Sequence, residues 1–172
     1  MHKFLNIICL LKFMYQRPTW DEYFMQLVEV VAKRGTCDRG RTGAVIVKDK
    51  RILSTGYVGS PPKLPHCDEA GHLMKTVVDE NGNESKHCLR TLHAEMSAIA
   101  WAAKQGISLD GSTLYCKMSP CFHCAKMIVS SGIKRVVCKK RYHADKESME
   151  LFEKAGVEVQ ILNNEIETYD DQ

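Results

Sequence analysis

His93-Ala94-Glu95 and, further along the chain, Pro120-Cys121-Phe122-His123-Cys124 are the residues best suited to chemistry. One imidazole and two thiolates supply three ligands for zinc, and three protein ligands leave the fourth tetrahedral position open for water. Zinc lowers the pKa of that water from about 15.7 toward 7 and so supplies hydroxide at neutral pH. Glu95, two residues after the histidine, is placed to take a proton and pass it to a substrate. Either half alone carries little, because C-x-x-C also occurs in redox and structural zinc sites and H-x-E is short. Together, in this order, they point to an enzyme. A purely structural zinc would want a fourth protein ligand, with His123 or Cys116 as candidates. His123, between the two cysteines, is expected to face away from the metal.

The elements that must position these groups are legible from caps and periodicity. Thr19-Trp20-Asp21-Glu22 reads as a capping box opening a helix. Tyr23, Leu27, Val30 and Val31 then recur at helical spacing until Gly35. Gly43 to Val47 and Arg51 to Gly56 read as a hairpin turned at Lys48-Asp49-Lys50. Ala94 to Lys104 is a buried helix rich in Ala, closed by Gly106. Thr113 to Cys116 is a strand, Cys121 to Ser131 a helix, Ile133 to Cys138 a strand, Lys146 to Lys154 a helix and Val157 to Leu162 a strand. Such alternation predicts an α/β fold of three layers, α/β/α, around a mixed sheet of about five strands. His93 then opens one helix and Cys121 and Cys124 occupy the first turn of another. The partial positive charge of a helix N-terminus favours thiolate over thiol.

With 172 residues, 44% of them hydrophobic, the chain fits one domain with a full core. A net charge of +3 and scattered basic residues favour a small-molecule substrate over a nucleic acid. Eight cysteines, several beside histidines at ligand spacing, indicate thiolates on metal in a reducing, cytoplasmic setting rather than disulfides. Phe4 to Leu11 is a weak match to a signal segment, being interrupted by Asn6 and lacking a small-residue cleavage site. It is too short to span a bilayer, so no membrane partner is expected. Residues 1–15 are read as an N-terminal extension with Met14 as the functional start, residues 16–164 as the zinc-dependent domain, and 165–172 as a frayed acidic tail.

Residues 57 to 92 show no convincing helix or strand. A loop of that length in a compact domain calls for a function or a staple. It holds Cys67, His72, His87 and Cys88, with Cys37 just before the hairpin, and four such ligands could close a structural zinc. Cys138 is expected in the core. Tyr142, at the end of a strand, is a candidate to pack against a substrate or to be merely structural. Arg39, Arg41 and Lys117 are candidates for holding a phosphate.

The pattern H-x-E…P-C-x-x-C resembles that of zinc-dependent nucleobase deaminases. The resemblance extends to Arg17-Pro18-Thr19-Trp20-Asp21-Glu22-Tyr23-Phe24, Gly43-Ala44-Val45-Ile46-Val47-Lys48, Gly56-Tyr57, Leu64-Pro65-His66-Cys67-Asp68-Glu69, His87-Cys88-Leu89-Arg90-Thr91-Leu92-His93-Ala94-Glu95 and Cys124-Ala125-Lys126-Met127-Ile128. Over roughly residues 16 to 162 the chain is similar to the deoxycytidylate (dCMP) deaminases, in particular their bacterial and phage branch. That likeness implies a cytidine-deaminase-like fold and hydrolytic deamination of dCMP to dUMP, with His93, Cys121 and Cys124 on zinc and Glu95 as the proton carrier. It also implies a homo-oligomer, often a hexamer, activated by dCTP with Mg²⁺ and inhibited by dTTP. A second zinc is implied on Cys37, Cys67 and one of His87 or Cys88, with His72 or the other of that pair as the fourth ligand. Substrate contacts are implied at Tyr57, Val58 and Ala94, beside Tyr142.

Three departures stand out. Val58 occupies the place of an Asn that the family uses on the substrate's sugar, and a lost contact of that kind is worth about 1–3 kcal/mol. Ser97 stands where Asn usually precedes Ala-Ile. The strand before Pro120 reads Tyr115-Cys116-Lys117-Met118 instead of carrying Thr. These departures keep two other readings open: a deaminase of another cytosine or adenine nucleotide, and a nucleotide-binding regulator without turnover. The deaminases of tRNA adenosine, riboflavin synthesis and free cytidine share the zinc signature. His93 argues against the last, which usually has Cys there. The Cys-rich insert and the mild charge argue against the first.

Overall fold

The structure, a computed structural model, describes residues 15–78, 82 and 84–167. The apolar Phe4–Leu11 run, Cys9, Met14 and residues 168–172 lie outside the described residues. Helix α1 spans Trp20–Ala32 and opens as its sequence requires: the Thr19 hydroxyl accepts from Glu22 N, while the Glu22 carboxylate accepts from Thr19 N at 2.7 Å. The face it buries differs from expectation. Phe24, Met25, Val28 and Ala32 are inside, whereas Tyr23 and Val30 are exposed and Leu27 and Val31 only flank the core. Both sets have helical spacing, so the surface packed against α1 made the choice.

Strands β1 (Gly43–Lys48) and β2 (Arg51–Tyr57) form the expected hairpin. Its turn puts Asp49 at φ 50° and Lys50 at φ 62°, the left-handed pair that a two-residue hairpin loop demands. Between β2 and the next helix, the chain forms a short helix α2 (Cys67–Ala70) and a hairpin of β3 (Met74–Val78) and β4 (Glu84–Cys88). The sequence suggested an irregular stretch there. The hairpin escapes period-two analysis because every residue of β3 is exposed, so no apolar face marks it.

The helices that follow are α3 (Ala94–Lys104), α4 (Phe122–Ser130) and α5 (Lys146–Ala155), and the next strands are β5 (Thr113–Met118), β6 (Arg135–Tyr142) and β7 (Glu158–Ile161). The sheet runs in the order β2-β1-β5-β6-β7, with β1 antiparallel to β2 and β5, and β5, β6 and β7 parallel. This is the mixed five-stranded sheet anticipated. Alternation along β1 separates the layers: Ala44 and Ile46 join the core of α3, α4 and α5, while Val45 and Val47 join that of α1. The tail departs from the frayed segment expected, since Ile166–Glu167 forms a short strand β8 parallel to Arg141–Tyr142.

Two glycines set how closely the helices approach the sheet. A Cβ on Gly56 would lie 2.2 Å from Ala94 O and 2.4 Å from Ala98 N, so β2 meets the first turns of α3 backbone to backbone. A Cβ on Gly43 would lie 2.6 Å from Val28 O in α1. The Gly56 contact seats the beginning of α3, where His93 and Glu95 are found.

Candidate active site

His93 is the N-cap residue of α3 and Cys121 that of α4, yet neither side chain caps its helix. Both are left to face a common point between the two helix starts. There His93 Nδ1 lies 3.4 Å from Cys121 Sγ and 3.4 Å from Cys124 Sγ. Tetrahedral zinc with ordinary bond lengths would set nitrogen and sulfur about 3.6 Å apart. All three ligand atoms fall within 4.8 Å of one another, so the donor set fits zinc in both chemistry and spacing. Cys121 is driven down to about 3, first by its bond to Cys124 and then, against burial, by His93, while Cys124 is pushed up. His93 is raised to about 9 by its bond to Cys121. A readily formed thiolate beside an imidazole is the ligand character a borderline-soft cation prefers.

Glu95 stands in the first turn of α3, 9% exposed, with Oε2 3.7 Å from Cys124 Sγ. Burial raises its carboxyl pKa, with His93 partly opposing. A buried carboxylate with a raised pKa, next to a cluster of metal donors, is suited to holding and releasing a proton. His123 is not part of the cluster, and Cys116 instead faces Cys138 across the parallel strands at 3.6 Å, both buried.

The site lies in a cavity of about 140 Å³ lined by His93, Glu95 and Cys121. Val58 and Tyr142 line it as well, whereas Tyr57 and Ala94 are not among the lining residues. Val58 is 7% exposed and packs with Cys37 and Cys67, offering a hydrocarbon wall. Ser97 does not reach the cavity. Of the cationic candidates Arg39 lines it, and Arg41 and Lys117 do not. Thr42, Lys86, Thr91 and Ser119 also line it, none of which the sequence singled out, because they are common residues at no diagnostic spacing. His87 is there too, its pKa lowered by burial and then by His93, His143 and Arg39. The cavity lining therefore includes two cationic side chains, Arg39 and Lys86, and two imidazoles, His87 and His93.

A second cluster brings together Cys37, Cys67, His72 and Cys88, with all ligand atoms within 4.8 Å. Cys37 Sγ is 3.7 Å from His72 Nδ1, and Cys67 Sγ is 3.7 Å from Cys88 Sγ. Tetrahedral zinc would hold two sulfurs about 3.8 Å apart. His72 Nε2 lies 3.0 Å from Asp38 Oδ1, the carboxylate support a metal-binding histidine commonly has on its far nitrogen. Among the described residues no cysteine is in a disulfide. Burial pushes Cys67 up to about 12, with Cys88 adding. Cys88 comes down to about 7 because the backbone N–H groups of Arg90 and Leu73 overcome its burial. Between the alternatives at the end of β4, this arrangement takes Cys88, while His87 lines the cavity without joining the tetrad. Cys37 and Cys88 line the cavity as well, so the tetrad borders it.

Residues 18–140 match the family described as the cytidine and deoxycytidylate deaminase zinc-binding region. The chain is 41% identical over 145 residues to ComE operon protein 2 of Bacillus subtilis (strain 168), covering 84% of this chain and 72% of that one. It is 36% identical over 143 residues to deoxycytidylate deaminase of Schizosaccharomyces pombe, covering 83% of this chain but only 44% of that longer protein. In structure it is similar to the dCMP deaminase of cyanophage S-TIM5 in complex with dCMP and dUMP. That match has a TM-score of 0.68 and 31% identity, covering 86% of this chain and 99% of that one.

Proposed function

The chain belongs to the cytidine and deoxycytidylate deaminase family, and on that premise we propose that it hydrolyses dCMP to dUMP and ammonia at the His93–Glu95–Cys121–Cys124 site. The observation that carries this reading is the convergence of one imidazole and two thiols beside a buried carboxylate, with His93, Glu95 and Cys121 lining a cavity. His93, Cys121 and Cys124 would hold zinc, and zinc held there would lower the pKa of water and so supply a nucleophile at neutral pH. Glu95 takes a proton from the water on its carboxylate and delivers it to the ring nitrogen beside the reacting carbon, then takes the proton of the newly attached hydroxyl and gives it to the departing amine. One water enters and one ammonia leaves, so no other reactant is needed. Tyr142 and Val58 wall the base and sugar, and Arg39, Lys86 and His87 face the phosphate.

The same reading extends to a domain spanning residues 16–164 in the cytoplasm, a structural zinc on Cys37, Cys67, His72 and Cys88, and a homo-oligomer, hexamer favoured, that responds to dCTP with Mg²⁺. The zinc-like spacing of the tetrad supports the structural zinc. No described helix is long and apolar enough to cross a membrane. A different nucleotide preference, or nucleotide binding without turnover, draws on Val58, whose side chain offers no hydrogen bond to a sugar.

The deciding experiment measures ammonia release from dCMP, CMP, deoxycytidine, cytosine and adenosine, with and without dCTP and Mg²⁺. Zinc per subunit and oligomer mass are determined on the same preparation. Preferential turnover of dCMP is expected. Zinc-loaded protein inert toward every cytosine compound would refute the reading, and Val58→Asn would then test whether the sugar wall is responsible.

A further inference from the structure

Asp145 stands immediately before α5, where an aspartate ordinarily accepts from backbone N–H groups of the first turn. It makes no such cap bond, and its carboxylate, only 3% exposed, turns back toward the sheet. Oδ2 accepts from the Ser119 hydroxyl at 2.7 Å, and Arg141 donates from Nε to Oδ2 at 3.1 Å and from Nη2 to Oδ1 at 2.7 Å. Ser119 is equally buried, at 3%. Its hydroxyl oxygen accepts from Tyr142 N at 2.7 Å, and its own N–H donates to Lys140 O at 3.0 Å.

Ser119 thus continues the join between β5 and β6 past their last paired residues, Met118 and Lys140. One side of that join is the turn Ser119-Pro120-Cys121, held extended by the proline and leading into a candidate metal ligand. The other side is Tyr142, a wall of the cavity. A buried carboxylate needs strong partners, and this one has given up its helix cap to find them between the thiolate turn and the aromatic wall.

We propose that Asp145 and Ser119 are positioning residues, fixing the Tyr142 ring relative to the Cys121 turn so that the nucleotide base is received between them. The inference rests on the reading that this cavity takes the nucleotide. A hydroxyl that merely supported the fold would affect melting temperature alone. A positioning role acts on nucleotide affinity while the metal stays in place.

The test compares the zinc-loaded full chain with Ser119→Ala, Ser119→Thr, Asp145→Ala and the Ser119→Ala/Asp145→Ala pair. The readouts are Kd for dUMP by calorimetry, KM and kcat for dCMP, and zinc per subunit. Each alanine variant is expected to raise Kd and KM about tenfold with zinc content unchanged. Ser119→Thr, which restores the hydroxyl, recovers most of that loss, and the double variant is no worse than either single one because the two act as a unit. Unchanged Kd and KM in Ser119→Ala, or strictly additive losses, overturn the proposal. Should Asp145→Ala fail to fold, the Ser119→Ala and Ser119→Thr pair decides alone. Wild-type protein that binds dUMP without deaminating dCMP sinks the catalytic reading but leaves the affinity comparison valid. Wild-type protein that binds neither nucleotide overturns both.

Discussion

Glu95→Gln keeps the side chain's volume and its place in the first turn of α3 while removing the group that carries a proton. Since Glu95 is not one of the three converging donors, the variant is expected to retain zinc and lose at least about a thousandfold in kcat. Loss of zinc together with activity would mean that Glu95 holds the metal instead. At the end of β4, His87 and Cys88 are neighbours in sequence and both line the cavity, but only Cys88 belongs to the tetrad. Cys88→Ala is therefore expected to remove one zinc per subunit and lower the melting temperature. His87→Ala should leave zinc content and melting temperature nearly unchanged and raise KM for dCMP. Metal analysis of the two variants side by side checks this, and the reverse pattern would place His87 on the metal.

Among the elements, α1 is fastened to the sheet by more than its apolar stripe. Arg135 of β6 donates to both carboxylate oxygens of Asp21, at 2.9 and 2.8 Å, and Tyr115 of β5 donates to the same carboxylate at 2.7 Å. The Arg135 bonds hold the Asp21 carboxyl below its ordinary range, outweighing burial, with Tyr115 adding. A depressed native pKa means the unfolded chain binds more protons, so the stabilisation is complete above the unfolded pKa, about 3.9, and fades as pH falls through the native value. Asp21→Asn is expected to cost about 1–3 kcal/mol near neutral pH, with the deficit shrinking below about pH 4. Urea melts of both proteins across that range measure it, and a deficit independent of pH would rule out the carboxylate as its source.

Across the whole molecule, two kinds of stabilisation are segregated. The sheet and its helices have two apolar cores, whereas the segment between β2 and α3 rests on a cluster of Cys37, Val58 and Cys67 with Cys88 beside it. If the tetrad holds zinc, a strong chelator should make the 57–92 segment the first site of proteolytic cleavage while the sheet stays protected. Equal protection with and without chelator would show that the segment needs no metal. The difference between these regions also explains what could be read from the sequence. The chain alone determined the deaminase signature, the first hairpin, the order of the principal helices and strands and the mixed sheet, because caps, turns and alternation are local chemistry. It could not choose the buried face of α1, since two stripes share the same periodicity and only the partner surface separates them. It missed β3 and β4 because an exposed hairpin leaves no apolar pattern. It left His87 and Cys88 as alternatives, and it gave no reason to connect Ser119 with Asp145. Those outcomes depend on which groups distant segments bring within a few ångströms of each other, and only the tertiary structure fixes that.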